Sequence, residues 1–180
     1  MDKPKGLRTC LYDAAQINVV LEDMARQIAG LLARRDRVAV IGILRRGAPL
    51  ADRITEILVR EYSLAPPVRL NLDIKRYADD LTLLYPETRL NTHELAGLDL
   101  RGHTLLVVDD VLYTGHSLLR AVTFLANMAP DEIRVAVLVD RGATLLPIRT
   151  DVVGIRLDVA PPDVIECNIR PYEAQLKIDL

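Results

Sequence analysis

The chain has no tryptophan and a single phenylalanine, so few side chains are available to stack on unpaired bases. Cys10 and Cys167 stand alone, with no C-x-x-C pair and no Cys/His cluster. That argues against both a zinc site and a disulfide framework. The three histidines, His93, His103 and His116, show no metal-ligand spacing, so no dedicated protein ligands for a metal are expected. A formal net charge of −2 argues against a globally basic nucleic-acid binder and leaves room only for a local patch. No apolar run is long enough to span a membrane, and the opening MDKPKGLRTC lacks the apolar stretch of a signal peptide. The expectation is a soluble cytoplasmic protein with no membrane partner. Internal repeats and low-complexity segments are also missing.

What is present is apolar and regularly punctuated. Half of the 180 residues are hydrophobic, enough for one sizeable core, and the length favours a single domain over residues 1–180. Asp13 with Gln16 forms a capping-box pattern ahead of Ile17, Val20, Leu21, Met24, Ile28, Leu31 and Leu32 at helical spacing. Arg37 to Ile43 reads as a buried strand, Ala48 to Glu61 as a helix, and Pro66-Pro67 precedes a strand from Val68 to Ile74. Leu105 to Val108 is a strand covered on both faces, followed by a helix through Leu118, Leu119, Val122 and Leu125. Further strands are expected at Ile133 to Asp140 and near Asp151 to Ile155. Alternating strands and helices imply an α/β fold, a mainly parallel twisted sheet flanked by helices on both faces. Ligands bind such sheets outside the C-terminal strand ends, which would gather Arg45, Asp109, Asp110 and Asp140 along one edge. The weakly periodic stretch of about 75–101 is too long for an idle loop, so it is a small hairpin or a functional lid.

The richest segment is LLVVDDVLYTGHS, Leu105 to Ser117. Asp109 and Asp110 close its strand; Thr114, Gly115, His116 and Ser117 open its helix. Carboxylates suit sugar hydroxyls, while a glycine turn at a helix N-terminus suits phosphate. A bare D-D-x-x-x-T-G pattern fits a polar strand end and an ordinary turn equally well. Leu44-Arg45-Arg46-Gly47 likewise follows a strand and precedes a helix. Paired guanidinium groups and a glycine suit a diphosphate, although an Arg-Arg pair alone is also a common solvated surface. Asp140-Arg141-Gly142 after AVLV forms another strand-end turn, or a ligand-facing one.

Taken whole, Leu105 to Ser117 resembles the phosphoribosyl diphosphate (PRPP) motif of type I phosphoribosyltransferases, and DDVLYTG is most similar to PyrR proteins. The resemblance runs from about the first helix to Val159 and includes LVDRGATLLPIRTDVVG, Leu138 to Gly154. It implies the type I phosphoribosyltransferase fold with a small hood and a flexible catalytic loop. It also implies transfer from PRPP to uracil, giving uridine monophosphate (UMP) and diphosphate, with Mg2+ carried on PRPP and a homodimer or higher homo-oligomer. Asp109 and Asp110 would hold the ribose hydroxyls. Val111, Leu112, Tyr113, Thr114, Gly115, His116 and Ser117 would line the phosphoribosyl site, His116 standing where the family has arginine. Arg46 and Gly47 match the family's Thr-Arg-Gly pyrophosphate loop, with Arg45 in place of threonine; related enzymes often carry a nonproline cis bond there.

Val139, Asp140, Arg141 and Leu157 match the nucleobase-facing segments. Lys75 to Leu81 resembles the catalytic loop, but Ala78 falls where an arginine is expected. Arg76, two positions earlier, is the candidate catalytic cation of that loop: on a strand it would share Ala78's face but with a different reach, so whether it fills the arginine's role is open and a slower reaction is expected. Purine transferases carry an acidic residue before Thr-Gly, and Tyr113 there favours a pyrimidine over a purine. PyrR proteins also regulate pyrimidine genes through RNA. This chain has Ala143-Thr144 where regulators have His-Arg, and Glu22-Asp23 on the first helix, which disfavours RNA. Arg26, Arg34, Arg35 and Arg149 leave a candidate basic face, or ordinary solvated charge.

Overall fold

The computed structural model describes residues 8–74, 89–90, 99–160 and 163–180. Its elements run β1 (Cys10–Tyr12), α1 (Ala14–Leu32), β2 (Val38–Ile43), α2 (Gly47–Tyr62), β3 (Val68–Asp73) and β4 (Arg89–Leu90). Then follow β5 (Thr104–Leu112), α3 (His116–Ala126), β6 (Glu132–Asp140), β7 (Val152–Arg156), β8 (Glu166–Asn168) and β9 (Lys177–Asp179). The main sheet has the order β4-β3-β2-β5-β6-β7. Its five strands from β3 to β7 in that order are parallel, and β4 adds an antiparallel edge on β3. The expected α/β sheet flanked by helices is therefore the observed one. Among the described residues no helix is long and apolar enough to cross a membrane.

Alternation along the strands divides the core in two. Val38, Val40, Leu106, Val108, Ala136 and Leu138 pack with α1 and α2 on one face. Ala39, Ile41, Leu105, Val107, Val135 and Val137 pack with α3 on the other. Helix α1 starts where expected: the Asp13 carboxylate accepts from Gln16 N, and Gln16 Oε1 accepts from Asp13 N, both at 2.9 Å. Such a cap contributes about 1 kcal/mol.

The structure departs from the sequence reading at β5 and at a second sheet, and residues 89–90 bear on the hairpin-or-lid expectation. Strand β5 does not end at Val108; its ladder continues to Leu112, paired with Asp140, because β6 runs on beside it. Asp109 and Asp110 thus sit inside the second half of the strand rather than beyond its end. Residues 89–90 pair antiparallel with Leu72 and Asp73, the geometry of a hairpin arm, while Arg76 and Ala78 lie outside the described residues. A second, antiparallel sheet of order β1-β9-β8 joins the segments around residues 10 and 179. Its three-residue strands lie over the edge of the α1/α2 core, with Cys167 and Ile178 buried in that core.

Candidate active site

The site residues collect at the C-terminal ends of β2, β5 and β6. After β2 the chain turns through Leu44, Arg45 and Arg46 into α2, with Leu44 N donating to Leu72 O at 2.9 Å and a cis Leu44–Arg45 peptide. Gly47 decides how close that turn comes to β5. A Cβ at this position would strike the Val108 carbonyl oxygen and lie 3.1 Å from the Asp109 Cα. Only glycine lets the arginine turn rest directly on the strand that carries both carboxylates. Asp109 and Asp110 are each 7% exposed, and Asp110 N donates to Asp109 Oδ1 at 2.9 Å.

Arg46 is held from the far end of the chain. Its Nε and Nη2 donate to Glu173 Oε1 at 3.2 and 2.5 Å, while Glu173 Oε2 accepts from Ile169 N at 2.9 Å. Burial works against the Arg46 charge, but the bond to Glu173, with Asp110 and Glu166 nearby, outweighs it and holds the guanidinium above its ordinary value. Burial pushes the Cys167 thiol well up, and the charge of Asp110 adds to it, so this cysteine stays protonated. The Arg45 guanidinium lies over the Tyr172 ring, 4.8 Å from its centroid.

Beyond β5, Gly115 adopts a φ of +92° and caps α3 without a side-chain hydrogen bond. A left-handed residue is needed there, which is why glycine stands at the turn. The first-turn N–H groups of α3, from His116 onward, have no partner within the helix and face the turn. His116 Nδ1 lies 2.9 Å from Thr114 Oγ1; His116 and Ser117 are exposed.

The loops after β5, β6 and β7 are laced to one another. Arg141 N donates to Leu112 O at 3.2 Å, Leu145 N to Thr114 O at 3.0 Å, and Leu157 N to Asp140 O at 2.9 Å. Asp140 accepts from Gly142 N at 2.9 Å and from Arg156 Nη1 at 3.1 Å. Arg141 is buried: its guanidinium lies 4.3 Å from the Tyr113 ring centroid and its Nη2 donates to Ala160 O at 2.9 Å. Val139 is buried and Leu157 half-buried at this end. The structure thus brings together Arg45, Arg46, Gly47, Asp109 and Asp110 at one end, and Leu112, Tyr113, Thr114, Val139, Asp140, Arg141 and Leu157 at the other. Sequence reasoning missed Tyr172, Glu173 and Ala160, whose contacts span distances that no local pattern carries.

Residues 9–173 match the family model for the phosphoribosyl transferase domain. The chain belongs to the phosphoribosyltransferase family. Within it the chain is PyrR-like. The bifunctional protein PyrR of Clostridium perfringens is 32% identical over 175 residues, 97% of each chain. That of Roseiflexus sp. is 41% identical over 145 residues, covering 80% of this chain and 78% of the relative; that of Thermus thermophilus is 33% identical over 171 residues, 94% and 93%. Among solved structures, the hypoxanthine phosphoribosyltransferase of Trypanosoma cruzi superposes with a TM-score of 0.76 at 16% identity, covering 99% of this chain and 93% of the other. Its complex with IMP gives 0.74 at 15%, covering 99% and 91%. These likenesses establish the type I phosphoribosyltransferase fold.

Proposed function

We propose that this PyrR-like phosphoribosyltransferase moves the phosphoribosyl group of PRPP onto uracil, releasing UMP and diphosphate. The observation that carries the reading is the Gly47 contact with β5, which sets a diphosphate-type arginine turn against two buried carboxylates. Diphosphate leaves the anomeric carbon as positive charge develops on the ribose. Asp109 and Asp110 accept from the ribose hydroxyls and favour that charge, while Arg46, with Arg45 and the backbone at Gly47, takes up the charge growing on diphosphate. The turn from Thr114 to Ser117 anchors the remote phosphate and supplies positioning energy. Val111 and Leu112 carry the strand between these two ends. Uracil N1 then forms the new bond to the anomeric carbon from the side of Val139, Asp140, Tyr113 and Leu157, its proton leaving to solvent as the diphosphate departs, with Arg141 bracing Tyr113. Arg76 is assigned to the catalytic loop from the sequence alone.

Among the described residues no group of three or more His, Cys, Asp or Glu side chains is arranged to hold a metal. The two hard oxygen donors of Asp109 and Asp110 nonetheless suit Mg2+ delivered on PRPP. When bound, the ion would neutralise diphosphate charge.

A purine substrate is disfavoured because Tyr113, not an acidic residue, precedes Thr114-Gly115. RNA regulation is disfavoured by charge pairing on the candidate basic face. Arg26 is committed to Asp23 at 2.7 Å and Arg35 to Glu132 at 2.7 Å, which cancels much of their attraction for phosphates. The decisive experiment is a radiolabelled-base assay with PRPP and Mg2+, run with uracil beside guanine, hypoxanthine and orotate. Uracil should be consumed first; a purine or orotate used much more efficiently overturns the assignment.

A further inference from the structure

The two arginines of the β2–α2 turn are held by two consecutive residues of the segment between β8 and β9: Arg45 over the Tyr172 ring and Arg46 on Glu173. We propose that Glu173, assisted by Tyr172, is a positioning residue for diphosphate binding: it keeps the Arg46 guanidinium off Asp110 and presents its remaining N–H groups to the anion. This rests on the turn being the diphosphate site. A guanidinium has five N–H donors. Glu173 takes two through the Nε and Nη2 edge, and the other three have no partner among the described residues. They include the end-on fork, one N–H from each Nη, which matches two oxygens of a diphosphate.

The carboxylate is built to hold rather than to follow. One oxygen accepts from Arg46 and the other from Ile169 N, so Glu173 stays on its own segment. Arg46 is only 26% exposed, so without Glu173 its charge would seek another carboxylate instead of water. Asp110 lies close enough to act on the Arg46 charge already, and the Gly47 contact keeps the turn on that strand. An Arg46–Asp110 pair would disable both groups at once. Glutamine cannot replace Glu173, because its amide has one acceptor oxygen and would turn its NH2 group on either Arg46 or Ile169 N.

Positioning and simple charge balance predict opposite signs. Removing a negative charge beside an anion site should tighten anion binding, whereas losing the brace should weaken it. The test is calorimetric titration of the intact protein with magnesium diphosphate and, separately, with UMP, for wild type, E173Q, D110N and the double variant. E173Q should bind diphosphate about ten-fold more weakly, the size of one lost hydrogen bond to a charged group, with UMP affinity unchanged. In the D110N background the same change should cost clearly less, the mark of coupling through Asp110. Unchanged or tighter diphosphate binding by E173Q, an equal loss of UMP binding, or an undiminished loss in the D110N background would each overturn the proposal. If E173Q melts early, Y172L, which removes only the ring under Arg45, should weaken diphosphate roughly three-fold and leave UMP alone. A wild-type protein that binds UMP but no diphosphate refutes the reading of the turn itself.

Discussion

Alanine at Gly47 tests the contact on which the site is built. The new methyl group would meet the Val108 carbonyl oxygen, the Asp109 Cα at 3.1 Å and the Val108 carbonyl carbon at 3.3 Å. All three are backbone atoms of β5, which is paired with β2 on one side and β6 on the other, so the strand cannot yield. The arginine turn must lift. Overpacking of this kind costs about 1–3 kcal/mol, which for a chain of this size lowers Tm by roughly 2–12 °C. A displacement of about 1 Å between groups that act on one substrate costs about 100-fold in rate. G47A should therefore lower kcat/KM for PRPP about 100-fold while the KM for the base stays near wild type, because the base is assigned to the ends of β6 and β7 rather than to the turn. Scanning calorimetry and initial rates across PRPP concentration measure both. Wild-type Tm with wild-type PRPP kinetics would show that the turn does not need to rest on β5.

D110N should fold normally and lose about two to three powers of ten in turnover, since it removes a transition-state charge and nearly preserves shape; near-normal turnover at saturating PRPP rejects that role. Burial pushes the Glu173 carboxyl up, but the Arg46 and Ile169 bonds outweigh it and hold it below its ordinary 4.5. A depressed carboxylate stabilises fully above its unfolded value and loses that stability as pH falls through its folded one. The Tm gap between wild type and E173Q should thus be widest near neutrality and close as pH falls below the ordinary 4.5 of the carboxyl and through its lowered folded-state value; a gap that widens in acid contradicts the pairing. Filter binding to a pyrimidine-operon leader RNA at physiological salt should show no preference over a scrambled RNA, and tight UMP-enhanced binding would make the protein a regulator as well.

The parallel sheet was legible because VAVIGI and LLVV have the length and the β-branched composition expected of strands buried on both faces, and DDVLYTG carried the carboxylates and the phosphate turn in one local run. The extension of β5 through Asp109 to Leu112 was hidden because aspartate is depleted from strands, and only the neighbouring β6 makes the ladder continue. The strands CLY, ECN and KID are too short for any period to register. The burial of Arg141 was not legible, because Tyr113 and Ala160 reach it from two other loops. The Arg46 partner lies 127 residues away, where a single sequence holds no signal.

Pairing between Cys10 and Asp179 also orders events in time. The β-α-β units can zip from one strand to the next, but the three-stranded sheet waits for segments at opposite ends of the described chain to meet, and loop closure must come before its contacts reward it. A chain with only the large sheet formed would have its aspartates placed and its arginines without Tyr172 and Glu173. It could hold a sugar before it could hold diphosphate. Read in reverse, a local opening that frees β8 and β9 takes Cys167 and Ile178 out of the α1/α2 core and releases Glu173, while the α3-side core stays packed. Activity would fade before the sheet does, making turnover a more sensitive gauge of this protein's integrity than its secondary structure.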